Sequence, residues 1–150
     1  MSAYKRFDKE LYEKNDALAK AFVKKLLKGT EFQALDNPKK RSVDMLLYKD
    51  SQHIGYIEVE IKRVWKGKQF AYDTVQFAER KNKMAKLDLP TTFVMLNEDQ
   101  TAYLVVKGED LLNSPLKEVP NKYIYKGEQF YQVPVAKVEF NDLLKVLRGA

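Results

Sequence analysis

Apolar and polar side chains alternate strictly along residues 54–65, which read Ile-Gly-Tyr-Ile-Glu-Val-Glu-Ile-Lys-Arg-Val-Trp. Because successive side chains of a β-strand point to opposite faces, this spacing predicts a strand with one apolar face and one charged face. The apolar face carries Ile57, Val59 and Ile61, and the charged face carries Glu58, Glu60 and Lys62. Two carboxylates and an amine along one face of a β-branched strand are costly unless something binds there, so a functional site is expected on this stretch.

The period of the apolar residues divides the rest of the chain into further elements. Leu18, Phe22 and Leu26 recur at four-residue spacing and predict an amphipathic helix over residues 10–28. Residues 30–41 are expected to be a connector with a basic end, and residues 66–70 a basic loop. The other predicted elements are strands at 42–48, 91–96 and 102–106, helices at 72–87 and 139–148, a short helical turn at 107–113 and a hairpin at 122–133.

The strands at 42–48 and 54–65 are predicted to pair as an antiparallel hairpin. If the loop centres on Gln52, the apolar residues of both strands share one face and Asp44 lies opposite Glu60. A slip by one residue would place acids on the core face, so it is disfavoured. A slip by two residues keeps the faces unchanged and would set Asp44 opposite Glu58 or Lys62, and this alternative stays open.

Charge and composition narrow the class of protein. The 150 residues include 27 Lys and Arg against 21 Asp and Glu, a net charge of +6, which favours phosphate-bearing partners such as nucleic acid. The absence of cysteine excludes disulfides, zinc–thiolate sites and thiol nucleophiles, and it fits an intracellular, cytoplasmic protein. His53 is the only histidine, which excludes multi-histidine metal sites. We predict no membrane span and no signal peptide, because neither kind of apolar run is visible.

The predicted hairpin brings two carboxylates close enough to repel each other, and a divalent cation between them would reverse the sign of that interaction. Magnesium prefers oxygen ligands and typically takes one or two carboxylates together with waters and substrate phosphate. Asp44 and Glu60 meet that requirement, with the backbone carbonyl of Ile61 as a third ligand. Lys62 follows on the same strand face, where its ammonium group can hold an attacking water or stabilise charge on a phosphate.

An Asp on one strand followed by Glu60-Ile61-Lys62 on the next resembles the PD-(D/E)xK nuclease superfamily. The order helix, strand, strand, helix, strand over residues 10–106 is similar to that of the superfamily as well. The resemblance implies a restriction-endonuclease-like α/β fold, with a mixed central sheet flanked by helices, and a C-terminal hairpin and helix over residues 107–150. One departure is Val43, which stands where many members have proline before the Asp.

The resemblance also implies the activity and the roles of single residues. It implies Mg²⁺-dependent hydrolysis of phosphodiester bonds in nucleic acid, most simply by a DNA endonuclease, with Mn²⁺ able to substitute. Asp44 and Glu60 would be metal ligands and Lys62 the catalytic lysine, with Glu13 or Asp16 matching an acid that some members carry on the first helix. Glu58 could be an extra ligand, an acid behind the ligands or a surface charge. The expected nucleic-acid contacts are Gln76, Arg80 and Lys83 on the helix after the lysine, and Lys66 and Lys68 in the basic loop.

Other interpretations of the same residues stay open. At 150 residues the chain is expected to form one domain, and the resemblance makes a homodimer one expected assembly. The charged face of residues 58–62 could instead be the solvated side of an edge strand. The protein could then be a catalytically inactive nucleic-acid-binding module of the same fold, or a protein-interaction domain. Metal dependence separates these alternatives.

Overall fold

The computed structural model describes residues 9–39, 42–119 and 128–149. Within these ranges the backbone forms four α-helices, nine β-strands and two short 3-10 turns. The helices are α1 (Lys9–Leu27), α2 (Asn82–Ala85), α3 (Gly108–Leu112) and α4 (Leu143–Gly149). The strands are β1 (Phe32–Asp36), β2 (Met45–Lys49), β3 (Gln52–Ile61), β4 (Thr74–Ala78), β5 (Thr91–Leu96), β6 (Tyr103–Lys107), β7 (Leu116–Val119), β8 (Glu128–Pro134) and β9 (Glu139–Phe140). The 3-10 turns are Glu79–Lys81 and Val135–Lys137.

The described strands form two sheets. The larger sheet has six strands in the order β1-β2-β3-β5-β6-β9. Strands β3 and β5 run parallel, and the other neighbours in this sheet are antiparallel. Because parallel strands need a long crossover, the chain between β3 and β5 has room to build β4 and α2. Strand β4 joins the smaller sheet, which is antiparallel in the order β4-β8-β7.

Helices α1 and α4 cover one face of the larger sheet. The buried stripe of α1 belongs to the same apolar cluster as the inward residues of β2 and β3, and this cluster includes Val23, Met45 and Ile57. Leu143 of α4 belongs to the same cluster. The opposite face of β5 and β6 is covered by the smaller sheet, α2 and α3, with Phe77 and Phe93 in edge-to-face contact at 5.5 Å. The predicted α/β class, a mixed sheet flanked by helices, is therefore confirmed.

Two predicted elements are wrong. Residues 30–41 were expected to be a connector, but β1 lies within them and pairs with β2 along its whole length. Residues 72–87 were expected to be one helix, but they form β4, a 3-10 turn and the single helical turn α2. The alternation of buried Val75 and Phe77 with less buried Thr74 and Gln76 has period two, and β-branched and aromatic side chains favour a strand that β8 can pair with.

The hairpin of β2 and β3 has a register two residues away from the first prediction. Its turn is the tight pair Asp50 and Ser51, both with positive φ (49° and 70°), so Lys49 already pairs with Gln52. Two-residue turns of this kind match the twist of the flanking strands. A bulge next to Tyr48 then shifts the pairing by one residue, and Met45 pairs with Ile57. Asp44, directly before β2, therefore lies opposite Glu58, as the open alternative allowed, and the pairing of Asp44 with Glu60 is wrong.

In the C-terminal part the structure has a strand and a helix, and their boundaries differ from those of the predicted hairpin and helix. Residues 128–133 of the predicted hairpin lie in β8, which pairs with β4 and β7, whereas residues 122–127 lie outside the described residues. The helix predicted over 139–148 begins only at Leu143, because Glu139 and Phe140 pair with β6. Asn141, which follows β9, has φ 55°, and its side chain accepts a hydrogen bond from the Tyr103 N–H. Within the described ranges no helix combines the length and apolar character needed to cross a membrane.

Candidate active site

Asp44 and Glu58 form a closely interlocked acid pair at the start of β2. The Asp44 N–H donates to Glu58 Oε1 at 3.0 Å, and the Val59 N–H donates to Asp44 Oδ2 at 3.0 Å. The Asp44 carbonyl oxygen accepts from the Asn37 N–H at 3.0 Å, which continues the β1–β2 pairing by one rung. Backbone hydrogen bonds from two neighbouring strands thus fix the position of the Asp44 carboxyl group relative to Glu58.

Lys81 brings an ammonium group to this acid pair from a distant part of the chain. It lies at the end of the 3-10 turn that follows β4, and its Nζ lies 2.6 Å from Glu58 Oε2. The side chains are 12% and 7% exposed, so this is a buried ion pair. Glu60 lies two residues beyond Glu58 on the same strand face, and its charge also acts on Lys81.

Burial and charge shift the protonation equilibria at this site. Burial, together with the charge and hydrogen bonding of Glu58, raises the pKa of Asp44 from 3.8 to about 8, although the hydrogen bond from Val59 acts in the opposite direction. Burial acts to lower the pKa of Lys81, but the charges of Glu60 and Glu58 outweigh it and the pKa is raised overall. The site therefore keeps Lys81 charged, while Asp44 holds a proton at neutral pH in the absence of a further cation.

The first helix contributes Asp16 to the surroundings of Asp44. Asp16 forms an ion pair with Lys20 at 3.0 Å, and the negative charge of Asp16 adds to the raised pKa of Asp44. Burial acts to lower the pKa of Lys20, but the hydrogen bond and charge of Asp16 and the charge of Asp44 raise it overall. Of the two acids that the sequence proposed on this helix, the structure brings Asp16 to the site by these interactions, whereas Glu13 lies on an exposed part of α1.

The sequence-predicted residues beyond Glu58 lie further along the strand. Ile61 is the last residue of β3, and the contacts of Asp44 run to Glu58 and Val59, two residues before Ile61. Lys62 directly follows β3, where its N–H donates to the Leu96 carbonyl at 2.8 Å. In the described part of the chain, Lys81 is the residue whose ammonium group contacts an acid of this pair.

The predicted nucleic-acid contacts are spread over several elements. Arg80 is exposed and adjoins Lys81, on which its charge acts, and Lys83 is exposed on α2 two residues after Lys81. Gln76 does not share their helix, because it lies in β4 and pairs with Gln132 of β8. In the exposed loop after β3, Lys66 pairs with Glu98 at 3.4 Å, and Lys68 is exposed nearby.

The donor set suits a hard divalent cation. Among the residues that the structure describes, no group of three or more Asp, Glu or His side chains is arranged to hold a metal ion. A cation would therefore rely on Asp44 and Glu58, and two carboxylates with waters and substrate phosphate are the usual environment of Mg²⁺. The charges support the fit, because Lys81 pairs with Glu58 while burial and the neighbouring Glu58 raise the pKa of Asp44, so the charged form of Asp44 is unfavourable without a further cation.

Sequence reasoning missed Lys81 because residues 72–87 were expected to be a continuous helix. On that helix Arg80 and Lys83 share a face with Gln76, and Lys81 points elsewhere. The 3-10 turn after β4 reverses this order and directs Lys81 toward β3. A signal in the sequence was the period-two pattern of residues 74–78, which indicates a strand ending three residues before Lys81.

Comparison with known proteins adds information about the fold. No protein-family model matches the sequence, and no curated protein matches it either. Among solved structures, the chain is similar to a nuclease from a fusselovirus, with a TM-score of 0.53 over 97% of this chain and 96% of that chain. The two sequences are 17% identical, so the similarity shows that the two proteins share a fold.

Proposed function

We propose that this protein is a metal-dependent nuclease of the PD-(D/E)xK type that hydrolyses phosphodiester bonds in nucleic acid, with Mg²⁺ as cofactor and DNA as principal substrate. The observation that carries the proposal is the buried acid pair of Asp44 and Glu58 with Lys81 at 2.6 Å from Glu58. The shared fold with a viral nuclease and the net charge of +6 support it.

In this proposal Asp44 and Glu58 hold the metal, and Glu60 adds negative charge beside them. A bound Mg²⁺ supplies an activated water and offsets charge on the phosphate. Lys81 keeps Glu58 oriented through its ion pair and places a positive charge where a phosphate would approach the acids. The exposed cations Arg80 and Lys83, which lie on either side of Lys81 in the chain, contact neighbouring phosphates.

This assignment differs from the superfamily pattern in the source of the lysine. In the sequence pattern the acid Glu60 and the amine Lys62 stand two residues apart, whereas in the structure Asp44 contacts Glu58 and Glu58 pairs with Lys81. The two assignments predict different mutants. If Lys81 is the working amine, Lys81→Met lowers the cleavage rate about 100-fold or more, and Lys62→Met has a much smaller effect. If Lys62→Met instead lowers the cleavage rate more than Lys81→Met does, Lys62 is the working amine.

Cleavage of plasmid and single-stranded DNA with Mg²⁺ or Mn²⁺, compared with EDTA, tests the proposal. We expect cutting with either metal, loss of cutting in EDTA, and loss in Asp44→Asn and Glu58→Gln while nucleic-acid binding persists. Matched controls are Glu139→Gln and Lys145→Met, which break an exposed ion pair of 3.2 Å at the β9 edge of the sheet. The proposal fails if metal never stimulates cutting, or if the control variants lose as much activity as the site variants.

A catalytically inactive nucleic-acid-binding module is the second candidate. One observation favours it, because Lys81 already neutralises Glu58 without any metal. This candidate predicts salt-sensitive binding of nucleic acid and no cleavage of any substrate with any divalent cation. It also predicts that Mg²⁺ leaves the thermal stability of the protein unchanged.

A further inference from the structure

In the part of the chain that the structure describes, the larger sheet has a partly exposed area next to the acid pair. On the face where the smaller sheet covers β5 and β6, the strands β1, β2 and β3 carry a set of partly exposed side chains, which we call the open face. The open face consists of Gln33, Leu35, Leu46, Tyr48, His53 and Tyr56. Leu35 is 41% exposed, and its neighbour across the pair is Leu46, which in turn pairs with Tyr56.

Three rings of the open face form a single cluster. Tyr48 and His53 are stacked with ring centroids 5.2 Å apart and an interplanar angle of 28°, and His53 meets Tyr56 edge-to-face at 5.0 Å. The Tyr56 hydroxyl donates to Asp88 Oδ1 at 2.6 Å, and His53 Nε2 forms a hydrogen bond with the Gly55 carbonyl at 2.9 Å. These contacts hold the rings in place before any ligand binds, which lowers the entropy cost of stacking a flat ligand on them.

The ring cluster is continuous with the acid pair. Tyr56 and Glu58 are two residues apart on β3 and point to the same face, as do Leu46 and Asp44 on the neighbouring strand. Two residues of a strand span about 6.6 Å. A chain that lies over the rings therefore reaches Asp44 and Glu58 within about the length of one nucleotide.

Lysines border the open face at the β1 end of the strand order. A groove of about 920 Å³ runs along this edge, with Leu35 and Tyr48 on one side and the exposed lysines at the end of α1 on the other, which are Lys24 and Lys25 in the helix and Lys28 directly after it. Lys24 pairs with Asp36 at 2.9 Å, so among the described residues that line the groove Lys25 and Lys28 are the cations left for a ligand. The groove also contains the acids Glu31 and Asp50, and Glu31 is engaged by Arg148 at 2.6 Å.

We propose that the open face binds an unpaired strand of nucleic acid, with bases stacked on Tyr48, His53 and Tyr56 and phosphates along Lys25 and Lys28. Aromatic rings beside a cationic groove are the usual means of binding single strands, because every base offers a flat face. Inside a duplex those base faces are stacked on each other and a side-chain ring cannot reach them. The inference rests on the proposed nuclease function and narrows its substrate to single-stranded or locally unpaired regions.

Fluorescence anisotropy with a labelled single-stranded oligonucleotide and a duplex of the same sequence, both in EDTA, tests the proposal. We expect the single strand to bind more tightly than the duplex. Tyr48→Leu should weaken single-strand binding about tenfold, whereas Tyr48→Phe, which keeps the ring, should bind like the wild type. The matched control is Tyr72→Leu, which removes a 51% exposed tyrosine outside the open face. Replacing both Lys25 and Lys28 by Gln should reduce the salt slope of single-strand binding by about 1.4.

Equal affinity for the single strand and the duplex, or an unchanged affinity in a correctly folded Tyr48→Leu variant, would overturn the proposal. The outcome is separable from that of the nuclease assay. If the wild type binds single strands as expected but never cuts with Mg²⁺, the nuclease proposal fails and the binding surface stands. If it cuts with Mg²⁺ but the Tyr48 variants bind alike, the nuclease proposal stands and the binding surface fails.

Discussion

The buried ion pair between Lys81 and Glu58 makes a quantitative prediction about stability. Lys81→Met keeps most of the apolar stem of the side chain but removes the ammonium group from Glu58, which is 7% exposed. Removing one partner of a buried pair leaves an uncompensated charge and costs about 3–5 kcal/mol. For a domain of this size each kcal/mol lowers the melting temperature by about 2–4 °C, so we expect a decrease of about 6–20 °C.

Calorimetry at neutral pH in EDTA measures this change, and two further variants control it. Lys145→Met breaks the exposed pair with Glu139 and should cost less than about 1 kcal/mol. The double variant Lys81→Met with Glu58→Gln should recover most of the loss, because the glutamine oxygen still accepts from the Asp44 N–H and no buried charge is left. If Lys81→Met costs no more than Lys145→Met, or if the double variant is no more stable than the single one, the electrostatic account of the site is refuted.

Three further predictions concern pH and packing. Folding raises the pKa of Asp44 from 3.8 to about 8, so the metal-free wild type loses stability as the pH rises across that range. Asp44→Asn does not titrate there, and urea titrations without metal should show its stability increasing relative to the wild type over the same range. The hydrogen bond from Arg148 is the main cause that lowers the pKa of Glu31 from 4.5 to about 2. The wild type should therefore be more stable than Glu31→Gln above pH 4.5, and this difference in stability should vanish as the pH falls to about 2, as followed by circular dichroism. Gly55→Ala would place a Cβ 2.6 Å from the Pro90 carbonyl oxygen and should cost about 1–3 kcal/mol in urea unfolding; an unchanged midpoint would contradict the observed packing.

The hairpin of β2 and β3 shows that the amino-acid pattern determines the faces of the strands but not their exact register. The alternation around Val59 fixes which side chains share a face, since a slip by one residue would bury the acids. It does not distinguish registers that differ by two, because both keep the same faces. The two-residue turn at Asp50 and the bulge next to Tyr48 make that choice, and together they move the pairing by two residues. The predicted face was therefore right and the predicted partner of Asp44 was wrong.

The sequence could predict only those residues of the candidate site that lie on strands adjacent in the chain. Asp44 and the acids of β3 belong to neighbouring strands, and the pattern of the hairpin brings them together. Lys81 reaches the same place only through the crossover between β3 and β5 and the pairing of β4 with β8, which are long-range features. A short stretch that can form either a strand or a helix is decided by such tertiary partners and not by its own propensity.

A crystal soaked in Mn²⁺ tests the central claim most directly, since the anomalous signal of the ion locates it without reference to activity. We predict one peak in contact with the carboxylates of Asp44 and Glu58, which disappears in crystals of Asp44→Asn. The account is contradicted if no ion binds at these acids under saturating Mn²⁺, or if the ion binds elsewhere while the pair of Glu58 and Lys81 stays as it is.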